Sequence, residues 1–120
     1  MTKALQLKDS TFNLKPSTSD ENWYVFDLET DGLYDAVTQI FCVVIYDVAR
    51  EQTFSFGPDS IDDALDLIRN ADVLIGHNII FYDIPVLEKL YPNFFTQKPH
   101  VIDTLVATRL LWPKEKLYDL

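Results

Sequence analysis

Asp27-Leu28-Glu29 follows directly on the apolar run Trp23-Tyr24-Val25-Phe26. Residues i and i+2 of a strand point to the same side. The spacing therefore aims two carboxylates at one spot, at the strand's exit. Two unpaired acids that close repel each other, and burying them in an apolar strand is costly. A hard cation such as Mg²⁺ or Mn²⁺ takes carboxylate oxygens and removes that cost. If the strand instead ends by Asp27, both acids are solvated turn residues. A second polar group, Gly76-His77-Asn78-Ile79-Ile80-Phe81-Tyr82-Asp83, follows the short apolar run Val73-Leu74-Ile75. Ligands of open α/β sheets sit at the carboxyl ends of strands, which is where Asn78 and Asp83 fall. Asp83 stands two residues before Pro85 and reads equally as an ordinary helix cap. His77 has no Ser or Cys nucleophile beside it and reads as a structural hydrogen-bonder. Asp103-Thr104 reads first as the N-cap of the last helix, and Cys42, with no Cys or His at ligand spacing, as core.

These groups need elements to hold them. Trp23–Phe26 and Ile40–Tyr46 are continuous apolar runs, as expected of strands buried on both faces. Thr53–Phe56 alternates like a half-exposed third strand, and short connections join the three as an antiparallel meander. The period then changes. Ser60 with Asp63 resembles a capping box, and Ile61, Ala64, Leu65 and Ile68 share one helical face. Val73–Ile75 is a short buried strand closed by Gly76. A second helix has Pro85 in its first turn and Val86, Leu87 and Leu90 as its core face. Val101-Ile102 is a minimal strand, and residues 105–112 are helical up to Pro113. The order is βββαβαβα, an α/β layout with a mixed sheet flanked by helices. Residues 1–22, rich in turn formers with only Leu5, Leu7, Phe12 and Leu14 to pack, read as a tail or strap, with Phe12 and Leu14 as a candidate edge strand.

Composition bounds the function. The chain has 120 residues, 48% of them apolar, enough for a single core and one domain, residues 23–120. No stretch approaches the roughly 18 apolar residues of a membrane helix, and the N-terminus lacks a signal-peptide core. A lone Cys makes no internal disulfide, which suits a reducing, cytoplasmic setting. Ten basic residues against nineteen acidic give a net charge of −9. That balance argues against sequence-independent binding of duplex DNA, which neutralises many phosphates. It leaves room for a protein that meets a few nucleotides through cations held by carboxylates.

The two polar segments carry a resemblance. Val25-Phe26-Asp27-Leu28-Glu29-Thr30-Asp31-Gly32-Leu33 resembles the first motif of the 3′–5′ proofreading exonucleases with four catalytic acids. Asn78-x-x-x-Tyr82-Asp83 is similar to the second, and Val101-Ile102-Asp103-Thr104-Leu105-Val106-Ala107-Thr108-Arg109-Leu110-Leu111 to the segment that follows it. The likeness covers roughly residues 23–112 and is nearest to the exonuclease domains of family A replicative polymerases of short-tailed phages. It implies a ribonuclease H-like fold and two-metal hydrolysis of the 3′-terminal phosphodiester of single-stranded DNA. By the same resemblance, Asp27 would bridge two Mg²⁺ or Mn²⁺ ions, Glu29 would ligate the nucleophile-side ion, and Asp83 would hold the second. Thr30 and Leu33 would contact the terminal nucleotide and Asn78 would position the strand.

The family's third motif, an aromatic or His followed by the fourth acid, has no match up to Leu120; Tyr118 and Asp119 stand adjacent. Three expectations follow from that departure. The first is a C-terminally truncated exonuclease domain, weak or inactive alone, in the host cytoplasm if phage-encoded. Its partners would be the rest of a polymerase or a second copy covering exposed sheet surface. The second is a catalytically silent module that keeps the fold to bind a protein or a nucleic acid end. The third is a standalone exonuclease with an unusual fourth acid such as Asp103.

Overall fold

A computed structural model describes residues 20–111. The candidate strand at Phe12 and Leu14 and the Tyr118-Asp119 pair lie outside them. Five strands, β1 (Trp23–Thr30), β2 (Ile40–Asp47), β3 (Gln52–Phe56), β4 (Val73–Gly76) and β5 (His100–Asp103), form one sheet in the order β3-β2-β1-β4-β5. β3, β2 and β1 are the expected antiparallel meander, and β4 and β5 add in parallel beside β1. Helices α1 (Ile61–Arg69), α2 (Ile84–Leu90) and α3 (Thr104–Leu111) complete the expected order. Asn22 is tied to the segment between α1 and β4, its N–H donating to Asp72 (2.7 Å) and its side-chain amide to the Asn70 carbonyl (2.9 Å).

The core lies on one side of the sheet. Tyr24, Phe26 and Leu28 of β1, Val43 and Ile45 of β2 and Leu74 of β4 meet Ile61, Ala64, Leu65 and Ile68 of α1 and Val86 and Leu87 of α2. The α1 face is the one its apolar period predicts. The opposite side holds a small cluster, Val73 and Ile75 with Trp23, Val25 and Ile102. That asymmetry corrects two readings. β2 is not buried on both faces, because Phe41, Val44 and Tyr46 are exposed. Cys42, on the same strand, is only half-buried. The Ser60 capping box is also absent. A 3₁₀ turn, Pro58–Ser60, leads into α1, and the Ser60 hydroxyl donates weakly to the Gly57 carbonyl (3.4 Å) while its oxygen accepts no helix N–H.

Two local features place the site. β1 runs on through Thr30, its pairing with β2 extending to Thr30↔Ile40 across an irregularity after Glu29. Between β4 and α2 the chain makes a single π-helical turn, Ile79–Asp83, entered through Asn78 in the left-handed region (φ 61°). The wider turn buries both Ile79 and Asp83 while Phe81 faces out. Such turns occur mostly as isolated single turns, frequently at functional sites.

Candidate active site

Asp27 and Glu29 lie within β1 and not beyond it, so neither is a turn residue. The alternation of the strand puts both on the side opposite the core, exposed, continuing the row of Trp23 and Val25. They have no hydrogen-bond or ion-pair partner among the described residues, and nothing in the local packing requires two acids here.

Asp83 reaches the same strand from the other direction. The pairing of β1 with β4 runs only as far as Val25↔Ile75, so the Leu28 N–H beyond it has no β4 partner. The Asp83 carboxylate takes that place, Oδ2 accepting the Leu28 N–H at 3.2 Å. The capping reading of Asp83 is thereby overturned. The residue has helical backbone angles, and its side chain makes no cap bond to α2. It is 5% exposed. Burial, opposed by the Leu28 N–H and reinforced by the charge of Asp27 next door, pushes its pKa from 3.8 to about 7. A carboxyl raised by burial beside a second acid is the kind of perturbed group that marks a candidate site.

Asp103 is a different kind of acid. Its Oδ1 accepts the N–H of Asn78 (2.8 Å) and of Leu105 (2.9 Å), and its Oδ2 that of Ile80 (3.0 Å). Burial raises its pKa, but backbone N–H groups of Ile80, Asn78, Leu105 and Val106 outweigh that and hold it below the ordinary value. Both oxygens are engaged in tying α3 and the π-turn to the sheet, so the residue caps α3 as its sequence suggests.

The remaining predicted residues divide. Thr30 is engaged within the fold: its hydroxyl lies 2.5 Å from the Tyr82 hydroxyl, which donates to the Gly32 carbonyl (2.5 Å). That contact locks the strand exit to the π-turn, and sequence inspection does not single out Tyr82 for it. Leu33 stands 81% exposed on the β1–β2 loop. The loop is braced by Asp31, which accepts the N–H and hydroxyl of Thr38 and the Gln39 N–H, and by Lys89, which donates to the Tyr34 and Asp35 carbonyls. Asn78 shapes the backbone, its carbonyl accepting the Tyr82 N–H (3.1 Å). Three acids thus gather along the outer half of β1, yet among the described residues no three of them close into a ready metal-binding group. Asp27 and Glu29 are the free carboxylates; Asp83 has one oxygen on the backbone.

A family model described as the RNase_H superfamily matches residues 24–119, most of the chain. The chain belongs to the ribonuclease H superfamily. The mixed sheet, with its antiparallel β1–β3 and parallel β4 and β5, agrees with that membership. Two relatives are DNA-directed DNA polymerases. That of Escherichia phage T7 is 34% identical over 106 residues, covering 80% of this chain and 15% of the polymerase. That of Enterobacteria phage T3 is 31% identical over 105 residues, with the same coverage of each. The chain therefore spans about 15% of the length of the curated relatives it matches. A family B DNA polymerase from Pyrobaculum calidifontis superposes with a TM-score of 0.46 at 16% identity, over 58% of this chain and 11% of that one, a likeness too slight to bear on the assignment. No helix among the described residues is long and apolar enough to cross a membrane.

Proposed function

We propose that this domain is of the 3′–5′ exonuclease type found with replicative polymerases, hydrolysing the 3′-terminal phosphodiester of single-stranded DNA with Mg²⁺ or Mn²⁺. The observation that carries the reading is the placement of Asp27 and Glu29, exposed and unpartnered among the described residues on one face of β1, with the buried Asp83 carboxylate bonded to the residue between them. The donor set fits the cation: all three are carboxylates, the ligands that hard divalent ions take. Such ions, when bound, supply positive charge against the charge that develops on the phosphate and lower the pKa of water at the site. The chain's own residues supply the rest. Asp27 and Glu29 hold charge at a fixed place on a rigid strand, and Asp83 loses its proton as positive charge arrives. The Tyr82–Gly32 bond keeps the loop bearing Leu33 beside the acids, where an exposed apolar side chain meets the terminal nucleotide. Few phosphates are touched, so the net charge of −9 is no obstacle.

Because the three acids do not form a closed group, the rate of this chain is expected to be low. Loss of transition-state stabilisation of about 3–5 kcal/mol slows a step by roughly two to four orders of magnitude. The test is release of the terminal nucleotide from a single-stranded oligonucleotide labelled at its 3′ end, with and without Mn²⁺. Slow, Mn²⁺-dependent release that disappears in Asp27→Ala supports the proposal. Release that persists in Asp27→Ala and Glu29→Ala refutes it. No release together with retained binding of the oligonucleotide would mark a silent member of the superfamily, the reading that the open arrangement of the acids favours second.

A further inference from the structure

The sheet has two edges, and they are built differently. β5 is four residues long, follows Pro99, which has no N–H to offer, and ends on Asp103. Shortness, Pro and charge are devices that keep an edge strand from pairing further. β3 lacks the last two. Its residues, Gln52-Thr53-Phe54-Ser55-Phe56, include no charge and no Pro in a chain of net charge −9. Its pairing with β2 runs without a bulge, and Gln52 through Ser55 are exposed. Alternate residues of an edge strand turn their N–H and C=O groups outward. No hydrogen bond among the described residues meets them on that side of β3.

The side chains of β3 suit a second copy of the same strand. Phe54 and Phe56 lie opposite Ile45 and Val43, on the core side, and Thr53 and Ser55 opposite Tyr46 and Val44, on the other. An antiparallel self-pairing centred on Phe54 keeps each set on its own side of the sheet. Phe54 then meets its counterpart, extending the Phe54–Phe56 ring pair (6.4 Å between centroids), and Thr53 meets Ser55 at two symmetric positions. Charge favours the antiparallel sense. It brings the end that carries Arg50 to the end that carries Asp59, whereas a parallel pairing sets Glu51 against Glu51 and Asp59 against Asp59. We infer that two copies of this chain join antiparallel through their β3 edges, making their two five-stranded sheets one. A strand contact about 17 Å long buries less than the roughly 1,200 Å² of a stable interface, so the dissociation constant is on the order of 100 µM. Like net charges oppose the pairing, so salt strengthens it. β2 separates β3 from β1, which leaves the acids open, and the pairing does not depend on the exonuclease reading.

The test is sedimentation of the full chain from about 5 to about 500 µM, at low and at high salt. Wild type is expected to pass from monomer to dimer and stop there, at lower concentration in high salt. Thr53→Lys together with Ser55→Lys sets like charges opposite each other at both symmetric positions. That variant should stay monomeric even though its net charge is smaller. Thr53→Lys together with Ser55→Glu sets opposite charges at the same positions and should restore the dimer. Both variants change exposed side chains away from the core, and a thermal midpoint at the lowest concentration checks that they fold. Hydrogen exchange of wild type reads the contact without any variant: β3 amides should slow as concentration rises, and β5 amides should not. A wild-type chain that stays monomeric throughout, or assembles past a dimer, overturns the inference. So does a first variant that dimerises like wild type, a folded second variant that stays monomeric, or β3 exchange indifferent to concentration.

Discussion

Replacing Asp83 by Asn tests whether that carboxyl is held in readiness for positive charge. In the cation-free protein its folded pKa of about 7 lies well above the ordinary 3.8, chiefly through burial. The folded state therefore binds a proton more tightly than the unfolded state across the interval between those values. Stability on this account is greatest at or below pH 4, falls as pH rises, and reaches its full deficit above pH 7. A displacement of that size corresponds to roughly 4 kcal/mol. Solvent close to the group screens part of it, leaving about 2 kcal/mol. For a domain of this length that is a fall of roughly 8 °C in thermal midpoint between pH 4 and pH 8. Asn keeps an oxygen for the Leu28 N–H and has no proton to lose, so Asp83→Asn removes this slope. The assay is the difference in midpoint between wild type and Asp83→Asn at each pH, without divalent ions, which cancels the other titrating groups. The variant should gain on the wild type steadily from pH 4 to pH 8. Parallel curves would show that Asp83 ionises normally and would remove the reason for treating it as part of a charge-receiving site.

Millimolar Mn²⁺ should raise the wild-type midpoint, because a ligand that binds only the folded state stabilises it by mass action. Asp27→Ala and Glu29→Ala should lose that response and be no less stable than wild type without the ion. Asp103→Ala should cost about 1–3 kcal/mol in a urea titration, since it strips a helix cap, orphans the buried Leu105 N–H and releases the partly buried N–H groups of Asn78 and Ile80. Gly76→Ala should cost about 1–3 kcal/mol by the same measurement, because the new Cβ would meet Ile79 Cγ2 at 2.4 Å where backbone and core leave no room.

Much of the molecule is legible in its residues because the determinants are local. The change from continuous apolar runs to a 3.6-residue period marks where strands give way to α1, and Ile61, Ala64, Leu65 and Ile68 are buried as that period requires. Asp27 and Glu29 share a face because strand geometry has a period of two, whatever surrounds the strand. Asp103 reads as a cap from its position before an apolar helix, and it caps. Tertiary structure decided the rest, for reasons no local pattern contains. Whether Asp83 capped its own helix or crossed to β1 depended on β4 stopping at Gly76 and leaving the Leu28 N–H without a strand partner. An apolar run such as Ile40–Tyr46 states that a strand is hydrophobic but not how many faces are covered, and here only one is packed against α1 and α2. The Tyr82–Gly32 bond and the His77–Thr104 contact join residues 50 and 27 positions apart in the chain. Local sequence sets which chemistry each segment brings; strand register and the extra residue of the π-turn set which of those groups meet.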